Sequence, residues 1–191
     1  MIRIGLCGQL GYSFACRLWQ LHKQELENRF SHRFLSIFRD QGSGAYPFSP
    51  VQETGFRMYE IGEGGLFGTL WQLCDEEEQK TGRVFSGCEV DLYRIPVRQE
   101  VVEICELYEE NPYEIPSPGC FLVLWDEERE PGLTPECLSI LQKSAMIGKL
   151  TMDHNRIVTM NGHERFLTPP ARQRKDILDR TGKKEVSELL C

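Results

Sequence analysis

The spacing of apolar residues along this chain switches repeatedly between a two-residue and a 3.6-residue period, and each switch marks an element boundary. IRIGLC at residues 2–7 reads as a strand that runs into a glycine turn, CGQLG. The next stretch, FACRLWQLHKQELENRF, sets Phe14, Leu18, Leu21 and Leu26 near helical spacing and predicts one helix. Ser31 stands where it would cap a second helix, HRFLSIFRD. QGSGAYPFSP is a Gly/Pro/Ser loop, the segment expected to be most mobile. GFRMYEI predicts a strand. GLFGTLWQLCDEEEQ predicts a helix with Leu66, Leu70 and Leu73 on one face, and EEEQKTGR is expected as its solvated end.

In the second half, SGCEVDLYRIPV predicts a strand ending in a proline turn. RQEVVEICELYEEN is an amphipathic helix pattern, with Val102, Ile104, Cys105 and Tyr108 apolar and glutamates between them. Pro112, Pro116 and Pro118 mark an extended connector, with turn chemistry in NPY and SPGC. CFLVLW is an uninterrupted apolar run, the signature of a strand buried on both faces. TPECLSILQKS predicts a helix capped by Thr134 with Pro135 at its first position. SAMIGKL, RIVTM and HERFL predict short strands, the last two joined by an Asn161-Gly162 hairpin. Residues 169–191 are polar, basic in their first half, and a short last helix is expected there. Strands and helices alternate without internal repeats, which predicts a mixed α and β domain.

The 191 residues suit one domain. The net charge of −7 supplies no basic field for a polyanion, so nucleic acid is not an expected partner. No stretch approaches the roughly 20 apolar residues of a membrane span, and the amino terminus does not read as a signal peptide. Eight scattered cysteines form no C-x-x-C pair and mostly sit inside apolar runs. They read as reduced core residues, and a cytoplasmic location is expected. His22, His32, His154 and His163 show no metal-ligand spacing. Asp126, Glu127 and Glu128 are expected in a solvated loop.

Candidate chemistry concentrates in YEIGEGGLFGTLW at 59–71. Gly64 and Gly65 would let backbone N–H groups approach an anion, and the helix from Leu66 would add its positive end. The same residues also fit a sharp strand-to-helix turn with Glu63 as a first-turn acid. In IPVRQE, Arg98 is a candidate anion clamp and Glu100 a supporting partner, against the alternative of a helix-start acid and a surface arginine.

These segments resemble a known family. YEIGEGGLFGTLW, CEVDLYRIPVRQEVVEICELYEENPYEIPSPGCFLV at 88–123 and GHERFLTPP at 162–170 are similar to the carboxy-terminal domain of the aminoimidazole-ribonucleotide (AIR) synthase superfamily, typified by PurM and including hydrogenase maturation factors. GQLG at 8–11 stands in place of a G-L-E-G turn. The likeness spans roughly residues 1–170, leaving 171–191 as a polar tail. It implies an α+β fold in which helices pack on a mostly antiparallel sheet. Within the motifs, Glu60 replaces an Asp, Gly62 a Thr and Pro118 a Ser. The ligand or anion-binding candidates are Glu60, Glu63, Gly64, Gly65, Arg98, Glu100, Asn111 and Ser117; no catalytic residue and no metal ligand is assigned.

In that family an amino-terminal domain holds the acidic metal ligands and most ATP contacts and forms the dimer. Met1 here falls at the domain junction, so the resemblance implies half of that architecture. The chain is therefore expected to be a non-catalytic binding or regulatory module without a cofactor of its own. The alternative is one subunit of a split ATP-dependent enzyme, with ATP and magnesium entering only alongside a separate amino-terminal partner; a homodimer is also considered. Cys191 matches the terminal cysteine of hydrogenase maturation tails in that single residue, and EVSELLC holds no cation to activate its thiol.

Overall fold

The computed structural model describes residues 1–40, 50–81 and 86–168. In chain order these contain β1 (Ile2–Cys7), α1 (Tyr12–Leu21), α2 (Lys23–Arg29), α3 (His32–Asp40), β2 (Phe56–Ile61), α4 (Gly65–Thr81), β3 (Gly87–Asp91), α5 (Gln99–Leu107), β4 (Ser117–Asp126), α6 (Pro135–Gln142), β5 (Ala145–Thr151), β6 (Arg156–Met160) and β7 (His163–Phe166). The predicted GSGAYPF loop, the boundary near residue 170, the polar tail and Cys191 lie outside the described residues.

One seven-stranded sheet runs in the order β2-β4-β1-β5-β3-β6-β7. Every pairing is antiparallel except β3 with β6. The fold is thus α+β with a mostly antiparallel sheet, as expected. The apolar run CFLVLW lies inside β4, between β2 and β1, with both faces buried. On one face Leu122 and Leu124 join Ile4, Leu6, Val90 and Val158 beneath Leu66, Leu70 and Leu73 of α4. Those three leucines are fully buried, and each burial stabilises by about 1.5–3 kcal/mol. On the other face Phe121, Val123 and Trp125 meet Phe56 and Met58 under Cys137 and Ile140 of α6. A third cluster joins α1, α2 and α3 to α5 through Tyr12, Leu18, Leu26, Leu35, Val101 and Ile104.

The caps follow the sequence. Thr134 Oγ1 accepts from Cys137 N–H at 3.4 Å with Pro135 opening α6. Ser31 Oγ accepts from Phe34 N–H at 3.2 Å. Asn161 and Gly162 take the positive φ values, 55° and 75°, of the β6–β7 turn.

Five expectations need correction. The single helix at 14–30 breaks at His22, whose φ of −117° is not helical, giving α1 and α2. The break turns Leu21 outward to 42% exposure, off the apolar face assigned to it. In α5 it is Val101, not Val102, that faces the core with Ile104 and Cys105. The strand after Ser86 is short: a 3₁₀ turn at Leu92–Arg94 ends it before the proline. Ser117 to Cys120, read as turn chemistry, begins β4, where Ser117 pairs with Ile61 across a register shift. The acids after Trp125 are also more engaged than a solvated loop: Asp126 meets the amino terminus at 3.4 Å and Glu127 meets Arg3 at 2.9 Å.

All seven described cysteines are free, and only Cys16 is not buried. Burial pushes the Cys105 thiol up to about 12, with the Glu110 carboxylate adding to it, and burial likewise pushes Cys120 up to about 12. A raised folded-state value stabilises fully below the ordinary thiol range near 8.5 and is lost as pH climbs toward the folded value, so stability should fall across about pH 8.5–12. Iodoacetamide at about pH 8.5 should leave Cys105 and Cys120 unmodified in native protein and alkylate both in urea. Peptide mapping checks this, and rapid native modification of either would contradict the packing.

Candidate functional site

Because β1 and β2 both run antiparallel to β4, and β3 parallels β1 through β5, the carboxyl ends of β1, β2 and β3 meet the start of β4 at one end of the sheet. The turns carrying the sequence candidates collect there. Residues 8–11 lead into α1, 62–64 into α4, 92–98 into α5, and 108–116 run from α5 into β4.

Gly65 sits at φ 62°, and a Cβ there would lie 2.5 Å from the Glu114 carbonyl carbon and 2.6 Å from Tyr113 O. The glycine therefore permits a backbone-to-backbone approach, whatever else it does. Phe67 N–H, in the first turn of α4, donates to Tyr113 C=O at 3.2 Å. The two rings stack with centroids 5.5 Å apart. A carbonyl oxygen thus rests on the positive end of α4, where an anion would otherwise be favoured. Gly64 C=O accepts from Gly68 N–H at 2.9 Å, and Gly65 N–H donates to Gly62 C=O at 3.0 Å.

Asn111 holds Tyr113 in position. Its Oδ1 accepts from Tyr113 N–H at 3.0 Å, and its Nδ2 donates to Glu114 Oε1 at 3.1 Å. This is an Asx turn, the local structure Asn favours before such a bend. Ser117 is buried, and its hydroxyl accepts from Gly11 N–H at 2.9 Å while facing Ile115 C=O at 3.4 Å. Gly11, at φ 71°, opens α1 without a side-chain cap. Glu60 Oε1 accepts from Gly119 N–H at 2.9 Å, across the irregularity where the β2–β4 register shifts after Glu60. Cys120 follows, and its raised thiol is no nucleophile at neutral pH.

The structure therefore joins Glu60, Gly65, Asn111 and Ser117 through one continuous stretch, residues 111–119. It does not bring Glu63, Arg98 or Glu100 into that set. Arg98 precedes α5, where its C=O accepts from Val101 and Val102 N–H at 3.1 Å. Its half-buried guanidinium makes no ion pair among the described residues, and neither do Glu63 and Glu100. Among the described residues, no three His, Cys, Asp or Glu side chains gather as a metal site requires.

Sequence reading missed one charged pair. Glu77, expected at a solvated helix end, is buried and accepts from Arg57 of β2 and from Tyr59 Oη at 3.1 Å. Its position was legible: Leu66, Leu70, Leu73 and Glu77 share one helical stripe.

No protein-family model matches the sequence, and no curated protein does. Solved structures do. The fold is similar to that of HypE from E. coli, a hydrogenase maturation protein, at 16% identity and TM-score 0.58 over 92% of this chain and 52% of that one. HypE in complex with ATP gives 18% identity and TM-score 0.59, covering 91% and 52%. HypE in a HypE–HypF complex gives 13% and 0.56, covering 88% and 53%. At these identities the likeness is one of fold, and it agrees with the superfamily that the motifs resemble. The chain spans about half the length of those proteins. No helix of the described residues is long and apolar enough to cross a membrane.

Two substitutions test the turn geometry by urea unfolding. Gly65→Ala should cost about 2–4 kcal/mol, from a positive φ and a backbone collision together. Ser117→Ala should cost about 1–3 kcal/mol by leaving the buried Gly11 N–H unpartnered. Stabilities within about 0.5 kcal/mol of the parent would contradict these contacts.

Proposed function

We propose that this chain is a cytoplasmic binding module with the fold of half a hydrogenase-maturation-type protein, and that it performs no ATP chemistry alone. The observation that carries the reading is the occupation of the glycine turns by the chain itself. Tyr113 C=O lies on the amino end of α4, Glu60 is held by Gly119 N–H and Ser117 by Gly11 N–H. A phosphate entering there would have to displace Tyr113 C=O from a first-turn amide, and Gly65 is pressed against the same backbone.

A second reading is a subunit that acts with a separate ATP-binding partner. HypE spans roughly twice the length matched here and has been solved with ATP and with HypF. Arg98 and Glu100, without ion pairs among the described residues, stand in sequence between exposed Tyr93 and Val102, and such groups suit a protein contact.

Calorimetric titration of the isolated chain with Mg-ATP should give no saturable heat at up to about 1 mM nucleotide. A Kd tighter than about 100 µM would overturn the first reading. Sedimentation in native extract separates the two: a stable heavier complex supports the subunit, and a monodisperse monomer supports the module.

A further inference from the structure

A second concavity opens at the other end of the sheet, away from the glycine turns. It is an open depression with a volume of about 610 Å³. Ile2 of β1 and Leu124 of β4, on the α4 face of the sheet with Arg57, form its apolar side. Arg57 of β2, Lys80 of α4 and Arg129 beyond β4 bring cations from three separate parts of the chain.

The two lining acids are each engaged locally. Glu53 Oε1 accepts from Thr134 N–H at 3.1 Å. Asp126 Oδ1 accepts from Glu128 N–H at 3.2 Å and from the chain's amino terminus at 3.4 Å. Lys80 is held by Glu76 at 2.9 Å, and Arg129 stands 3.7 Å from Asp126. Arg57 differs. One terminal nitrogen is fixed by buried Glu77, while Nε and the other terminal nitrogen make no hydrogen bond among the described residues. Its side chain is 28% exposed. A guanidinium offers five N–H groups in a planar fork, and this one is anchored from behind with most of that fork open.

We propose that this cavity binds a small organic carboxylate with an apolar body. The carboxylate sits on Arg57 with Arg129 adding charge, and the apolar body lies against Ile2 and Leu124. A fork anchored by a buried carboxylate is already oriented, so little side-chain entropy is lost when a second carboxylate arrives. The site lies across the sheet from the glycine turns and does not depend on the function proposed above.

NMR titration of the ¹⁵N-labelled chain with indole-3-acetate tests it. Saturable shifts are expected at the amides of Thr54, Gly55 and Leu124 to Asp126. Tryptamine, with the same ring and a cationic tail, and inorganic phosphate, an anion without a ring, should each bind about tenfold more weakly or not at all. The double variant Arg57→Gln/Glu77→Gln removes both charges, so no unpaired carboxylate is left buried, and should weaken indole-3-acetate about tenfold. Arg129→Gln, at an exposed position, should weaken it a few-fold and serves if the double variant does not fold. Absence of saturable shifts, equal binding of tryptamine or phosphate, or undiminished binding by a folded Arg57 or Arg129 variant would overturn the proposal.

Discussion

The rest of the structure depends on the way β4 is enclosed. From Phe121 onward it pairs with β2 on one edge and β1 on the other, and side chains bury on both faces. A strand in that setting has no freedom of register, because a one-residue slip would exchange Leu122 and Leu124 for Phe121 and Val123 beneath α4. Fixing β4 fixes the segment that enters it. Residues 111–119 are therefore delivered to one place, where Tyr113 meets α4, Ser117 meets the start of α1 and Gly119 meets Glu60.

Each of these contacts satisfies a backbone group that the fold would otherwise leave without a partner. α1 begins at a glycine with no capping side chain, and Ser117 supplies the acceptor for that glycine's N–H. The first turn of α4 receives Tyr113 C=O. The register shift after Glu60 leaves Gly119 N–H to be met by the Glu60 carboxylate. Residue types that suit ligand binding at strand ends are the same types that satisfy strand and helix ends, because both tasks need short acceptors and close backbone approach. Composition alone does not separate the two uses; partner geometry does.

That explains which features were legible in the sequence. CFLVLW announced a doubly buried strand, and the Leu66, Leu70 and Leu73 stripe announced the helix above it, because both patterns report burial directly. Thr134-Pro135 and Asn161-Gly162 were legible because each meets a local backbone requirement. Leu21 and Val102 were misplaced for another reason. A helix period locates an apolar face only while the helix continues, and the break at His22 ended it one residue after Leu21. In α5 the choice between Val101 and Val102 is one step of 100°, which α1 packing against α5 decides and local spacing does not. Glu77 was legible in position but not in partner, since Arg57 lies twenty residues away on β2. Ser117 was assigned to a turn because Pro118 and Gly119 follow it; β4 absorbs them through a register shift that no local pattern announces.

The two ends of the sheet thus differ in kind. At the glycine turns, donors and acceptors face one another across short backbone distances, and each one named has a partner within the chain. At the opposite end buried Glu77 accepts from Arg57 and Tyr59, while the partly exposed Arg57 guanidinium keeps N–H groups open toward the cavity. Burying an ion pair is costly enough that a hydrophobic pair of similar volume would often be more stable. Arg57 offsets the burial of Glu77 while staying 28% exposed at a concavity that Lys80 and Arg129 also line. A guanidinium anchored by a buried acid and open to a cavity is better accounted for by what it faces than by what holds it.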